Sequence, residues 1–235
     1  MCGFVGFSSF DNAVDNKNEI IRKMNQKMSK RGPDEEGYFT SDYISMGHKR
    51  LIVIDPAHGK QPMSAKFGNN TYTICYNGQI YNTKELREQL IKHGFLFEGH
   101  SDTEVLLKAF IHYGYDLPLH LNGIFAFAIW DEQKEELFLA RDHFGIKPLF
   151  YSLFNNSCVF ASEVKAILAY PGFPVKIDSQ GICELFGIGP AHTPGTCVFN
   201  GIYELKPAHF AIYNRDGFST KRYWKLQSKP HTDDF

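Results

Sequence analysis

No run in the chain approaches the ~20 consecutive apolar residues that a membrane span needs. The first residues lack a basic segment followed by an apolar one, so no signal peptide is visible. Blocks of like charge are missing too. Twenty-five basic against 26 acidic residues leave a net charge of −1, which gives no electrostatic footprint for nucleic acid or a membrane surface. The five cysteines, Cys2, Cys75, Cys158, Cys183 and Cys197, form no C-x-x-C pair, and the ten histidines form no H-x-x-x-H pair. Neither a zinc knuckle nor a disulfide framework is indicated, and no metal site is expected. An odd number of scattered thiols suits a reducing cytoplasm. A phosphate loop of the form G-x-x-x-x-G-K-S/T is absent, and so are a dinucleotide fingerprint, internal repeats and low-complexity tracts. Nothing in the chain looks equipped to hold a nucleotide.

What the chain does have is apolar content. Of 235 residues, 43% are hydrophobic and 15% aromatic, enough for one large domain or two small ones. Gly3 to Ser8 reads as a short apolar strand that would hold the N-terminal end in the core rather than let it fray. Asn18 to Lys30 places Ile20, Ile21, Met24 and Met28 on one helical face, and Arg31-Gly32-Pro33-Asp34 stops that helix. Strand candidates follow at 36–40 and 43–48, then the run from Arg50 to Ile54. A polar loop is expected over 55–70, and a strand over Tyr72–Tyr76 delivers Asn77-Gly78 at its end. Asn82-Thr83-Lys84-Glu85 and Ser101-Asp102-Thr103-Glu104 have the form of capping boxes, the second opening a helix with Val105, Leu106, Ala109, Phe110 and Tyr113 on one face.

From Gly123 the pattern changes to strands: GIFAFAIWD, ELFLARD, LFYSLF and SCVFAS. Residues 124–130 are apolar at every position, and a strand apolar on both faces is buried on both. Several such strands joined by short turns cannot form a sheet with one side in water. Two stacked sheets with helices on their outer faces are the economical packing. Helices at Glu163–Ala169 and Ser179–Phe186 and strands at 207–213 and 219–224 complete the expected domain. Gly187–Phe199 reads as a surface loop, or else as a contact with a partner domain. The last ten residues, polar and proline-bearing, read as the start of a linker.

Chemistry concentrates at the beginning. Removal of Met1 would leave Cys2 with a thiol and a free α-amine on one residue. An unperturbed α-amine titrates near ~7.7–8.0 and a cysteine near ~8.5. The amine can therefore take the thiol proton directly or through one water, supplying nucleophile and base without a histidine. Attack on a carbonyl creates an oxyanion that needs fixed donors. Asn77-Gly78 could offer one side-chain and one backbone N–H, although the pair reads first as an ordinary Asn-Gly turn. Arg50 is either a surface arginine or a planar clamp for a carboxylate. Asp102 either complements a helix dipole or pairs with a substrate ammonium.

The order Cys2-Gly3, Arg31-Gly32-Pro33-Asp34, Arg50-Leu51, Asn77-Gly78 and Ser101-Asp102 resembles the class II glutamine amidotransferases, which are N-terminal-nucleophile hydrolases. RGPD, RDHFGIKPLFY at 141–151 and ASEVKAIL at 161–168 resemble their glutamine-hydrolysing asparagine synthetase branch. The match runs from residue 2 to about 224, so residues 1–224 are expected to form a glutaminase domain and 225–235 to begin a linker.

The resemblance implies an α+β fold, a four-layer αββα sandwich of two mainly antiparallel sheets. It implies hydrolysis of glutamine to glutamate and ammonia. Cys2 would attack the side-chain amide, Asn77 and Gly78 would stabilise the oxyanion, Arg50 would hold the α-carboxylate and Asp102 the α-ammonium. Backbone groups of Leu51, Val53 and Gln79 would complete the pocket. Gln79 stands where the family usually has glutamate, which puts a side-chain contact there in question. Ala208 follows Pro207 where relatives often have glycine. Arg31 to Asp34 is expected to shape a loop beside the pocket, and His143 to be a packing or partner-facing residue. No cofactor is expected for this domain; ATP and Mg would belong to a C-terminal synthetase domain, which this sequence does not contain. That domain is the expected partner, with no nucleic acid or membrane, and a homodimer is among the assemblies allowed.

Overall fold

Residues 125–131 are all buried in the observed strand Gly123–Asp131 (β6), and their side chains alternate between two different interiors. Phe125, Phe127 and Ile129 face one apolar cluster, and Ala126, Ala128 and Trp130 face another. That is the period of two that a pleated strand imposes. The computed structural model describes residues 1–10, 14–189 and 193–228, and its strands form two six-stranded sheets in which every neighbouring pair is antiparallel.

In spatial order the first sheet runs Tyr203–Glu204 (β10), Phe150–Phe154 (β8), Ser157–Ala161 (β9), Gly3–Ser9 (β1), Ile44–Arg50 (β3) and Glu35–Thr40 (β2). The second runs Gly217–Arg222 (β12), His209–Asn214 (β11), Glu136–Arg141 (β7), β6, Asn70–Ile80 (β5) and Met63–Phe67 (β4). Between the sheets lie Phe4, Met46, Cys75, Leu139 and Phe160. Helices Lys17–Gln26 (α1) and Val164–Ile167 (α5) cover the first sheet, with Ile21, Met24 and Ile167 packed on Val5, Phe7 and Val159. Helices Thr83–Lys92 (α2) and Asp102–Tyr113 (α3) cover the second, with Leu86, Leu90, Leu106 and Phe110 among the residues packed on it. Three apolar clusters thus fill the three spaces of a four-layer αββα sandwich, and burying each large side chain contributes about 1.5–3 kcal/mol. A 3₁₀ turn at Gly114–Asp116, the short helix Leu117–His120 (α4) and the helix Ser179–Gly187 (α6) complete the described elements. No helix among the described residues is long and apolar enough to cross a membrane.

Four expectations need correction. The segment 55–70 is not loop throughout, because β4 pairs with β5 through a tight turn at Gly68, whose φ of 59° suits glycine. Asn77-Gly78 is not a turn at a strand end, since β5 continues to Ile80 against β6. Asn82 does not cap α2 with its side chain; its amide instead binds the 120–122 backbone, accepting from Asn122 N at 2.9 Å and donating to His120 O at 2.9 Å. Ser101 does cap α3, but Glu104 turns away from it to accept from Glu98 N and Gly99 N, each at 2.9 Å. Of the segments read as loop and linker, residues 190–192 and 229–235 lie outside the described residues.

Candidate active site

A cavity of about 400 Å³ opens at the end of the sandwich where β1, β3 and β5 come together. Every residue singled out in the sequence for this chemistry lines it: Cys2, Arg50, Leu51, Val53, Asn77, Gly78, Gln79 and Asp102. Met1 and Lys147 stand in the same lining.

Cys2 leads into β1, whose register sets Gly3 opposite Lys49. Its thiol lies against the next backbone along, with Leu51 N 3.4 Å and Leu51 O 3.5 Å from Sγ. Arg31 Nε donates to Cys2 O at 2.8 Å and so holds the residue's other side. The rest of the RGPD segment fixes the 49–52 backbone that the thiol touches. Gly32 lies so close to the Lys49–Arg50 peptide that a Cβ there would collide with backbone atoms. Asp34 N donates to Arg50 O at 3.1 Å, and its carboxylate accepts from Ile52 N at 2.8 Å. The expectation that this segment shapes a loop beside the pocket is met by these contacts.

On β5 the donors fall into place through strand geometry. Tyr76 N donates to Gln61 Oε1 at 2.6 Å, on the side away from β6. Backbone N–H groups two residues apart along a strand point the same way, so the N–H of Gly78 faces the same side, where the cavity begins. A Cβ on Gly78 would strike Ile124 O and approach Tyr76 Cε2 to 2.6 Å, so only glycine brings the backbone this close. Asn77 is 2% exposed, and its Nδ2 has no hydrogen-bond partner. A buried donor left unpaired costs about 1–3 kcal/mol, which marks this amide as kept for something other than the fold.

Asp102 begins α3 and accepts from Tyr76 Oη at 3.0 Å. Burial raises its pKa above the usual aspartate value, while the Tyr76 hydroxyl and nearby backbone N–H groups pull the other way. Burial also pushes the Tyr76 phenol well up, with the Asp102 charge adding to it. Behind β5, His48 is fully buried and lies 3.0 Å from Tyr76 O through Nε2. Burial holds its pKa down, at about 4, and the Arg50 charge adds to this against the bond to Tyr76 O. The ring is therefore neutral and donates through Nε2, leaving Nδ1 without a partner.

Arg50 is 4% exposed and closely held. Nη1 donates to Glu35 Oε2 at 2.7 Å and Pro56 O at 3.2 Å, and Nη2 to Asp55 O at 2.7 Å and Ile54 O at 3.1 Å. These bonds explain why the apolar run after Arg50 leaves the sheet: the guanidinium gathers the carbonyls of residues 54–56 around itself. The Asp55 carboxylate accepts from His100 N at 2.7 Å and His58 N at 3.0 Å, which lowers its pKa to about 2 and ties the 55–58 turn to the approach to α3.

Tyr76, Gln61, Glu35 and His48 were not singled out by the sequence. Tyr76 adjoins Asn77, but its partner Asp102 lies 26 residues away, and no local pattern signals that bond. His143, read as a packing or partner-facing residue, packs edge-on to Phe125, Tyr223 and Trp224.

Comparison with known proteins bears on the whole domain. Residues 1–224 match the family described as the glutamine amidotransferase domain. Over its full length the chain is 46% identical to asparagine synthetase (glutamine-hydrolyzing) 3 of Bacillus subtilis, and spans 38% of that protein. Over 98% of its length it is 39% identical to asparagine synthetase (glutamine-hydrolyzing) 1 of the same organism, and spans 36% of it. The chain thus covers well under half of these curated relatives. Among solved structures, the glutamine phosphoribosylpyrophosphate amidotransferase of B. subtilis, complexed with ADP and GMP, superposes with a TM-score of 0.69 at 20% identity. The match covers 96% of this chain and 50% of that one, and it supports the αββα fold. With two antiparallel sheets, a family match across residues 1–224 and 46% identity to a relative over its full length, the chain belongs to the glutamine amidotransferase domain family.

Proposed function

We propose that Cys2, once Met1 is removed, hydrolyses glutamine to glutamate and ammonia in this cavity. The α-amine takes the thiol proton, and Sγ attacks the side-chain amide carbon of glutamine. Asn77 Nδ2 and Gly78 N donate to the oxyanion. The amine returns the proton to the leaving nitrogen, ammonia departs, and a thioester remains. Water then adds to the thioester with the amine again as base, and glutamate is released as the thiol re-forms. Arg50 takes the α-carboxylate and Asp102 the α-ammonium, so a free amino acid is selected over a peptide glutamine. Backbone groups of Leu51, Val53 and Gln79 line the remaining wall. No cofactor enters these steps.

The observation that carries this reading is the orphaned, buried Asn77 amide lining the same cavity as Cys2. The test is ammonia and glutamate release from free glutamine by wild type and Cys2→Ala, after mass spectrometry has confirmed loss of Met1. Release by the processed wild type and silence of Cys2→Ala are expected, as is silence of any fraction retaining Met1. Continued release by Cys2→Ala would overturn the scheme.

The names of the two B. subtilis relatives support a destination for the ammonia. In this proposal it passes to an ATP-dependent synthetase partner that amidates aspartate. Glutamine carrying ¹⁵N in its amide should then label asparagine when such a partner, aspartate, ATP and Mg are supplied. Label appearing in another amide product would identify a different acceptor.

A further inference from the structure

We propose that Glu35 is a specificity-determining residue that sets how strongly Arg50 attracts a substrate carboxylate. The inference rests on the reading above, in which Arg50 receives the α-carboxylate of glutamine. Glu35 and Arg50 are direct cross-strand partners in the β2–β3 register, and their side chains meet at 2.7 Å. The arginine side chain is 5% exposed and the glutamate 30%, so the pair is only partly screened by water.

The terminal nitrogens of Arg50 carry four N–H groups, and the chain supplies four acceptors for them. Three are the neutral carbonyls of Ile54, Asp55 and Pro56, which fix the direction of the guanidinium. Glu35 is the one acceptor of the four that carries a charge. Among the described residues, Nε makes no bond with the protein, and it remains for a ligand in the cavity that Arg50 lines.

A substrate carboxylate therefore shares its cation with a carboxylate already in place. The two like charges lie on one guanidinium, and in a partly buried site their repulsion subtracts from the attraction of Arg50 for the newcomer. The carbonyls hold Arg50 whether or not Glu35 is charged, so Glu35 acts on affinity through charge rather than through placement. The other nearby acids are otherwise engaged. The Asp55 carboxylate is bound to His58 and His100, and Asp102 lies at Tyr76 on the β5 side. Next along β2, Glu36 pairs with Lys49 in the same manner, but Lys49, unlike Arg50, lines no part of the cavity, which makes Glu36 a matched control.

Steady-state kinetics of Glu35→Gln, Glu36→Gln and wild type with glutamine and with L-glutaminamide, which lacks the α-carboxylate, test the proposal. Glu35→Gln is expected to lower KM for glutamine by on the order of three- to tenfold, the size of one partly screened charge interaction. KM for glutaminamide should not follow, and Glu36→Gln should move neither. Glu35→Asp, which keeps the charge, should leave KM for glutamine near wild type and serves where Glu35→Gln folds poorly. An unchanged or raised KM for glutamine in Glu35→Gln, or an equal fall for glutaminamide, would overturn the role of Glu35 alone. Wild type that hydrolyses glutamine and glutaminamide with equal kcat/KM would instead remove the role of Arg50, and that of Glu35 with it.

Discussion

The Tyr76 hydroxyl sits 3.0 Å from Asp102 Oδ2 and joins the strand that bears Asn77 to the first turn of α3. The residue that precedes Asn77 along β5 thus orients the Asp102 carboxylate of α3.

A pH dependence follows with a definite sign. Burial raises the Asp102 pKa above its ordinary value, and the Tyr76 hydroxyl opposes that rise. Because the folded value lies above the unfolded one, ionising Asp102 works against stability as pH rises through the window between them. In the proposed function the substrate ammonium needs the charged form, so glutamine affinity is expected to fall as pH drops through the raised pKa. Tyr76→Phe removes an opposing hydrogen bond and moves the pKa further up. The acid limb of kcat/KM against pH should shift to higher pH in this variant, mainly through KM. An unmoved limb would disconnect Tyr76 from the ammonium subsite.

Asn77→Ala separates chemistry from folding. Loss of one oxyanion donor should lower kcat on the order of 10²–10³-fold, with KM changing far less. Because Nδ2 satisfies nothing in the folded protein, the thermal midpoint should not fall in step with activity. Differential scanning fluorimetry beside the glutaminase assay reads both.

His48 gives a stability prediction. Its folded pKa of about 4 lies below the usual histidine value of 6.5. The unfolded chain therefore binds the extra proton first, and stability present above pH 6.5 is lost as pH falls toward 4. The full contribution is about 3 kcal/mol. Urea unfolding of His48→Gln across this range should show a slope shallower than wild type by up to one proton.

Gly32→Ala should destabilise by about 1–3 kcal/mol, because overpacking here meets main-chain atoms that cannot turn aside. Displacing the Lys49–Arg50 peptide also shifts Leu51, which touches the Cys2 thiol. Activity measured well below the unfolding temperature should therefore fall as well.

The sandwich was legible because residues 124–130 admit no wet face, and the observed alternation of Phe125 and Phe127 with Ala126 and Ala128 bears that out. The residues lining the cavity were legible through motif order. What stayed hidden was pairing: Gln61 with Tyr76, Glu35 with Arg50, and Tyr76 with Asp102 join segments 15, 15 and 26 residues apart. Such bonds follow from how strands and helices stack, and no local periodicity encodes them. Asn77-Gly78 reads locally as a turn because short-range chemistry favours one there; pairing with β6 overrides it.

The placement of β1 has a consequence for timing. It precedes both of its neighbours in sequence, yet it lies inside its sheet between β9 and β3. One neighbour is complete only at Arg50 and the other only at Ala161. Contacts this distant in sequence close late during folding. Until β9 has joined, the Cys2 sulfur is therefore without the walls that would aim it, and the reactivity proposed for it begins only when the sheet closes around β1.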